Sequence, residues 1–209
     1  MSRVPNAVEE FIHAKPVTPS IWPRRLLHVV TVSSIPVAIL IAPTELMQWS
    51  LVAGSVAAVI LELLRGLLPW ANDLAIRYLP FFKPFEQYQV TGATFMVLGA
   101  TATYFAFGTD VTVLALLFLA VGDPLAALIG RRDHYVRFFG KSVVGSAAFV
   151  LGATTVGVLV AQHPDIPLAW WLVPGAFSAA LAELLPLPVD DNLSVPLFAA
   201  AVMTLLAMI

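Results

Sequence analysis

The 209-residue chain has no cysteine, which excludes disulfides and thiolate metal sites. It is also poor in charge. Asp, Glu, Lys and Arg make up 11% of residues against 59% hydrophobic, and the mean hydropathy is +0.88, a balance that excludes a soluble domain of this length. No repeat of fixed period runs through the sequence, and its halves carry no matched broken segments of the kind found in inverted-repeat transporters. A cleavable signal is also missing at the start. There Val4, Val8, Phe11 and Ile12 fall at helical spacing among Asn6, Glu9 and Glu10 until Lys15-Pro16 stops the pattern. Residues 1–20 are therefore expected to form an amphipathic segment lying on the membrane surface, with a disordered tail as the alternative.

What the chain does have is long apolar runs. At about 20 residues each they suit helices crossing about 30 Å of hydrocarbon, so 21–209 reads as one all-α, polytopic integral membrane domain. Seven spans are expected: Leu26 to Ala42, Leu46 to Leu64, Val90 to Phe107, Val111 to Ile129, Val143 to Ala161, Leu168 to Leu185, and Leu193 to Ile209. Pro36, Pro174 and Pro196 fall inside them as candidate kinks. Following the alternation, all 11 Lys and Arg lie on one face, and only Glu45, Asp110 and Asp165 of the 13 acidic residues lie on the other. By the positive-inside rule the charged face and the N-terminus are cytoplasmic, in the inner membrane if the cell is prokaryotic. The loop from Arg65 to Gln89 carries Trp70, Tyr78, Phe81, Phe82, Phe85 and Tyr88. It is expected to lie along the interface as a half-buried helix ending near Pro80, either guiding a lipid or serving as an anchor.

Chemistry concentrates between Gly122 and Ser146. Gly122-Asp123-Pro124 sits inside an apolar span, and an ionised carboxylate there costs at least a few kcal/mol, which makes it a functional candidate by default. Four cations follow, Arg131, Arg132, Arg137 and Lys141, and Gly140-Lys141-Ser142-Val143-Val144-Gly145-Ser146 opens the next span. Backbone amides in the first turn of a helix, beside an ammonium, suit phosphate. This is not a nucleotide-binding P-loop, since Tyr135 occupies the position that demands glycine and no strand precedes it.

Other polar residues fall near the same end of each span. They are Arg24, Arg25 and His28, then Glu62 with Arg65, Glu86 with Thr91 and Thr94, Glu183, and Asp190-Asp191-Asn192. If the spans bundle, these groups converge on one polar cavity. Each has a plainer reading. Arg24 and Arg25 also suit phospholipid anchoring, and His28 suits a helix-to-helix hydrogen bond. Glu62 and Arg65, three apart, suit mutual pairing. Asp190-Asp191-Asn192 suits a helix cap.

In this order and register, five motifs resemble the polyprenol kinase family, which includes phytol kinase, dolichol kinase and the yeast-type CTP-dependent diacylglycerol kinase. They are Arg24-Arg25 with His28, Glu86 followed by Thr91-Gly92-Ala93-Thr94, Gly122-Asp123-Pro124 with Gly130-Arg131-Arg132, Lys141 to Ser146, and Glu183 with Asp190-Asp191-Asn192-Leu193 and Pro196. The Asp-Asp-Asn-Leu ending is similar to that of the phytol and farnesol kinase branch. A departure stands at Asp133-His134, where relatives often carry a glycine.

The resemblance implies transfer of the γ-phosphate of CTP, or another nucleoside triphosphate, to the hydroxyl of a lipid alcohol such as phytol, geranylgeraniol or a polyprenol, with Mg²⁺. Phosphoryl transfer needs positioning and charge neutralisation more than covalent chemistry. On that basis Asp123 is expected as metal ligand or general base, and Asp190 and Asp191 as further metal ligands. Arg25, Arg131, Arg132, Lys141, Ser142 and Gly145 are expected on the phosphate side. His28 or Glu86 is expected to orient the acceptor hydroxyl. The partners implied are the lipid alcohol, the nucleotide and membrane lipids, with no nucleic acid. Two rival readings are a CDP-lipid-forming cytidylyltransferase and a small transporter. The one-sided charge argues against the second.

Overall fold

The computed structural model describes residues 21–78, 89–131 and 137–209, with side chains described from 29 to 75 and throughout the last two segments. The N-terminal 1–20 segment, Glu86 and Arg132 lie outside these residues, and Arg25 and His28 lie in helix whose side chains are not among those described.

Among the described residues eight helices form an all-α, polytopic membrane fold. They are α1 (Ile21–Ile41), α2 (Thr44–Leu67), α3 (Pro69–Tyr78), α4 (Gly92–Phe107), α5 (Thr109–Gly130), α6 (Val143–Val160), α7 (Leu172–Leu184) and α8 (Asp191–Ala207). Each expected span has its helix, and α3 falls within the Arg65 to Gln89 loop where a helix ending near Pro80 is expected. Among the described residues three helices are long and apolar enough to cross a membrane: α2, α5 and α6, with 24, 22 and 18 residues, which at 1.5 Å per residue are about 36, 33 and 27 Å long.

The bundle is built around α5. Its residues Val113 to Ala120 are buried on every side, the pattern of a helix surrounded by other helices rather than facing lipid. It packs against α1, α4, α6, α7 and α8. By contrast α2 buries only Met47, Leu51 and Ser55 and joins through α4, where Ser55 and Thr101 share a hydrogen bond of 2.8 Å.

Between helices in lipid, close packing replaces the hydrophobic driving force, and small residues allow it. A Cβ on Gly145 would stand 2.9 Å from the Ala126 carbonyl and 3.3 Å from Gly130 Cα, so α5 and α6 touch backbone to backbone beside the site. A Cβ on Gly99 would collide with the Asn192 carbonyl. That seats the start of α8 on α4.

Two expectations need revision. The sixth helix begins at Leu172 rather than Leu168, so Pro174 is the third residue of α7 and bends nothing, since a first-turn residue has no helical amide partner to lose. In place of a plain loop before α6, a two-stranded antiparallel ribbon pairs β1 (Arg137–Phe138) with β2 (Lys141–Ser142). Its turn residues Phe139 and Gly140 have φ of 51° and 83°, the two positive values that a tight hairpin turn requires.

Candidate functional site

At one end of the bundle, the ribbon brings Lys141 to the connection between α7 and α8. Its Nζ lies 3.0 Å from Glu183 Oε1 and 3.0 Å from Asp191 Oδ2, and it also donates to the Glu183 carbonyl. Residues 42 and 50 positions apart are thereby tied together. Asp123, on α5, is near enough for its charge to act on both Glu183 and Asp191. Of the residues singled out from the sequence, Lys141 and Asp191 are therefore in contact, and Asp123 lies within electrostatic reach of Asp191.

Burial would lower the pKa of Lys141, but the charges of Asp191 and Glu183 outweigh it and hold the ammonium above its ordinary 10.5. It is a cation at any working pH.

Beside this knot opens a cleft of about 270 Å³, lined by Gly130, Arg131, Arg137, Lys141, Ser142 and Glu183, with Gly145 and Ser146 at its edge. Arg131 ends α5, Arg137 and Lys141 come from opposite strands of the ribbon, and Ser142 caps α6. The positive end of the α6 dipole adds to three cationic side chains on one concave surface. Asp123 lies one turn deeper than Ala127, which lines the cleft. The arrangement is a cationic cradle with carboxylates at its inner end. Such a cradle can hold a polyphosphate while the carboxylates accept a proton or a cation.

Several expected residues have other work in the structure. Ser142 Oγ accepts from the Gly145 amide at 3.1 Å, so that first-turn N–H is occupied by the cap, and Gly145 serves the backbone contact with α5. Asp190 is the N-cap of α8, accepting from the Asn192 amide at 2.9 Å and from Asn192 Nδ2 at 2.7 Å, which is the capping alternative. The Asn192 amide group also donates to the Gly92 carbonyl at 3.3 Å, binding α8 to the start of α4.

Glu62 and Arg65 pair with each other, which is the plainer reading given for them. Arg65 also donates to Asn72 Oδ1 at 2.9 Å and to the Gln89 carbonyl. Glu62 Oε2 accepts from Thr94 Oγ1 at 3.0 Å and from Thr91 Oγ1 at 3.3 Å. This second cluster ties α2, α3 and α4 together.

Sequence reasoning gave no role to Glu183 as the partner of Lys141, and none to Arg137 in the cleft. The run of cations from Arg131 to Lys141 was a signal for Arg137. Nothing local signals the Glu183 contact, which spans 42 positions.

Among the described residues no three His, Asp or Glu side chains form a ready metal cage. Mg²⁺ does not need one. It commonly takes one or two carboxylates and completes its shell with water and substrate phosphates, and Asp123 and Asp191 are carboxylates of that chemistry.

No family model matches this chain, and no solved structure does. Over 115 residues it is 31% identical to the CTP-dependent diacylglycerol kinase 1 of Saccharomyces cerevisiae, covering 53% of this chain and 40% of the relative. Over 142 residues it is 28% identical to the protein of the same name from Schizosaccharomyces pombe, covering 61% and 65%. An uncharacterized Rickettsia prowazekii protein is 29% identical over 113 residues, covering 53% and 55%. The chain spans about half the length of the curated relatives it matches, and it is a distant homologue of CTP-dependent lipid kinases.

Proposed function

We propose that this chain is a membrane kinase that transfers the γ-phosphate of CTP to the hydroxyl of a lipid alcohol. The observation that carries the reading is the Lys141 contact with Glu183 and Asp191, because it joins a cationic cleft to a group of carboxylates at one end of the bundle. The distant kinship with CTP-dependent diacylglycerol kinases supports the donor.

In this reading Arg131, Arg137 and Lys141 hold the triphosphate, and Arg25, Arg132 and the first turn of α6 from Ser142 add to that side. The acceptor oxygen attacks the γ-phosphorus, the bond to the β-phosphate oxygen breaks, CDP leaves, and Asp123 takes the hydroxyl proton. Asp191, with Asp123 where it serves as ligand in place of base, would hold Mg²⁺, which when bound neutralises charge developing on the phosphate oxygens. Asp190 holds the start of α8 so that Asp191 faces Lys141. His28 or Glu86 orients the acceptor. The positive-inside rule puts this end of the bundle on the cytoplasmic side.

The acceptor we propose is an isoprenoid alcohol of the phytol or geranylgeraniol class, on the strength of the Asp190-Asp191-Asn192-Leu193 motif. The names of the yeast relatives favour diacylglycerol as the second candidate. Purified protein given CTP, ATP, GTP or UTP with phytol, geranylgeraniol, dolichol or diacylglycerol, read by product mass, tests both points. A lipid monophosphate and CDP support the kinase. A CDP-lipid and pyrophosphate support a cytidylyltransferase instead.

A further inference from the structure

Lys141 sets a cation between two carboxylates. Its three N–H donors meet three acceptors: carboxylate oxygens of Glu183 and Asp191, and the Glu183 carbonyl. The same side chain is 35% exposed and lines the cleft beside Arg131 and Arg137. A second direction is therefore open to it, and its flexible four-carbon stem can take it. The carboxylate of Glu183 has no such freedom. It is 10% exposed, and its neighbours Ala180 and Ala182 on α7 are buried.

The charges around this contact fix what any movement must satisfy. Asp191 feels Asp123 and Asp190 as well as Lys141, and Glu183 feels Asp191 and Asp123. Withdrawing the ammonium alone would leave like charges crowded at low dielectric, which is strongly unfavourable. Withdrawal becomes tolerable only if another cation takes its place.

We infer that Glu183 is a further residue on the cation side of the site, and that Lys141 is an exchangeable place-holder between Glu183 and Asp191. When a triphosphate and a divalent ion enter together, the ammonium turns to the phosphate oxygens and the divalent ion takes its position against the two carboxylates. A divalent ion without a triphosphate meets a cation already in place. The inference rests on the nucleotide reading above and gives it an order, with the metal admitted only in company with phosphate.

The test uses the full chain in detergent and Mn²⁺ alone, read by electron paramagnetic resonance of the bound ion. Native protein should bind Mn²⁺ weakly. Lys141→Met should bind it about tenfold or more tightly, because the buried Glu183 and half-exposed Asp191 carboxylates lose their partner. Adding Glu183→Gln to Lys141→Met should return binding to the native level. No gain in Lys141→Met, or a gain untouched by Glu183→Gln, overturns the inference.

If Lys141→Met does not fold, native protein and Glu183→Gln decide the matter by melting temperature. In native protein, Mg²⁺ and inorganic tripolyphosphate together should raise it by more than the sum of their separate effects, and Glu183→Gln should lose that excess. An excess that survives Glu183→Gln overturns the inference. A Lys141→Met gain, where native protein releases no CDP from CTP, upholds the exchange and sinks the kinase reading. CDP release without the gain does the reverse.

Discussion

Two polar clusters sit at the ends of helices in this bundle and use the same residue types to opposite ends. In the Glu62 and Arg65 cluster, the side chains are 15% and 9% exposed. Thr91, Thr94, Asn72 and the Gln89 carbonyl share in its hydrogen bonds. In the Lys141 cluster, Lys141 and Asp191 are 35% and 40% exposed, and the ammonium borders a cleft with two further arginines. A charge sealed among its partners can hold helices together but cannot change partners. A charge that is bonded on one side and open on the other can do both. Composition does not separate the two, and exposure to a concave surface does.

The sharpest break in the comparison comes from Asp123. Asp123→Asn should lower lipid phosphate formation about 100-fold or more, as expected for loss of a proton acceptor or metal ligand, while the protein remains folded in detergent. Turnover near the native level removes Asp123 from the chemistry. The matching change in the other cluster is Arg65→Met. It strands a buried carboxylate, and should destabilise the protein by about 3 kcal/mol, seen as a lower melting temperature with little change in the apparent KM for CTP of the folded fraction.

Smaller effects refine the line between the clusters. Lys141→Ala should raise the apparent KM for CTP about tenfold, the worth of a charge-assisted hydrogen bond, and leave that for the lipid nearly unchanged. Asp190→Ala removes the α8 cap and should cost about 1 kcal/mol. Its effect on turnover should be far below that of Asp123→Asn, because the cap only holds Asp191 in position. The smallest effect concerns pH. The pKa of Lys141 is raised in the folded protein above its ordinary 10.5, so its stabilising contribution is complete below that value and is lost as pH climbs through the raised one. Melting temperatures of native protein and Lys141→Met should therefore differ by a constant amount between roughly pH 7 and pH 9 and converge only above 10.5.

Much of the fold was legible because apolar runs of membrane length have few alternatives. α2, α5 and α6 fall within a few residues of their expected ends, and α3 is a helix that ends before Pro80. The late start of α7 was hidden, since Leu168 to Trp171 is as apolar as the helix it precedes and only the position of Pro174 hints at the boundary. The ribbon was hidden for a different reason. Four paired residues around Phe139-Gly140 are too few to show an alternating pattern, and a positive φ at a phenylalanine has no sequence signature.

In the site, Asp123 stood out as a carboxylate inside an apolar run, Arg131 and Lys141 as cations beside a helix start, and Asp191 through the motif that carries the family resemblance. Glu183 was visible as a charge at a span's end, but its bond to Lys141 depends on how α7 and α8 return to the ribbon, which no local pattern encodes. Gly145 was read as an exposed amide for an anion. Its lack of a side chain instead serves the contact with Ala126 and Gly130.

The most direct test is equilibrium binding of a non-transferable CTP analogue with Mg²⁺ to native protein, Lys141→Ala and Arg65→Met, each confirmed as folded. The account predicts about tenfold weaker binding for Lys141→Ala and native affinity for Arg65→Met. Native affinity in Lys141→Ala, or an equal loss in both variants, would contradict it.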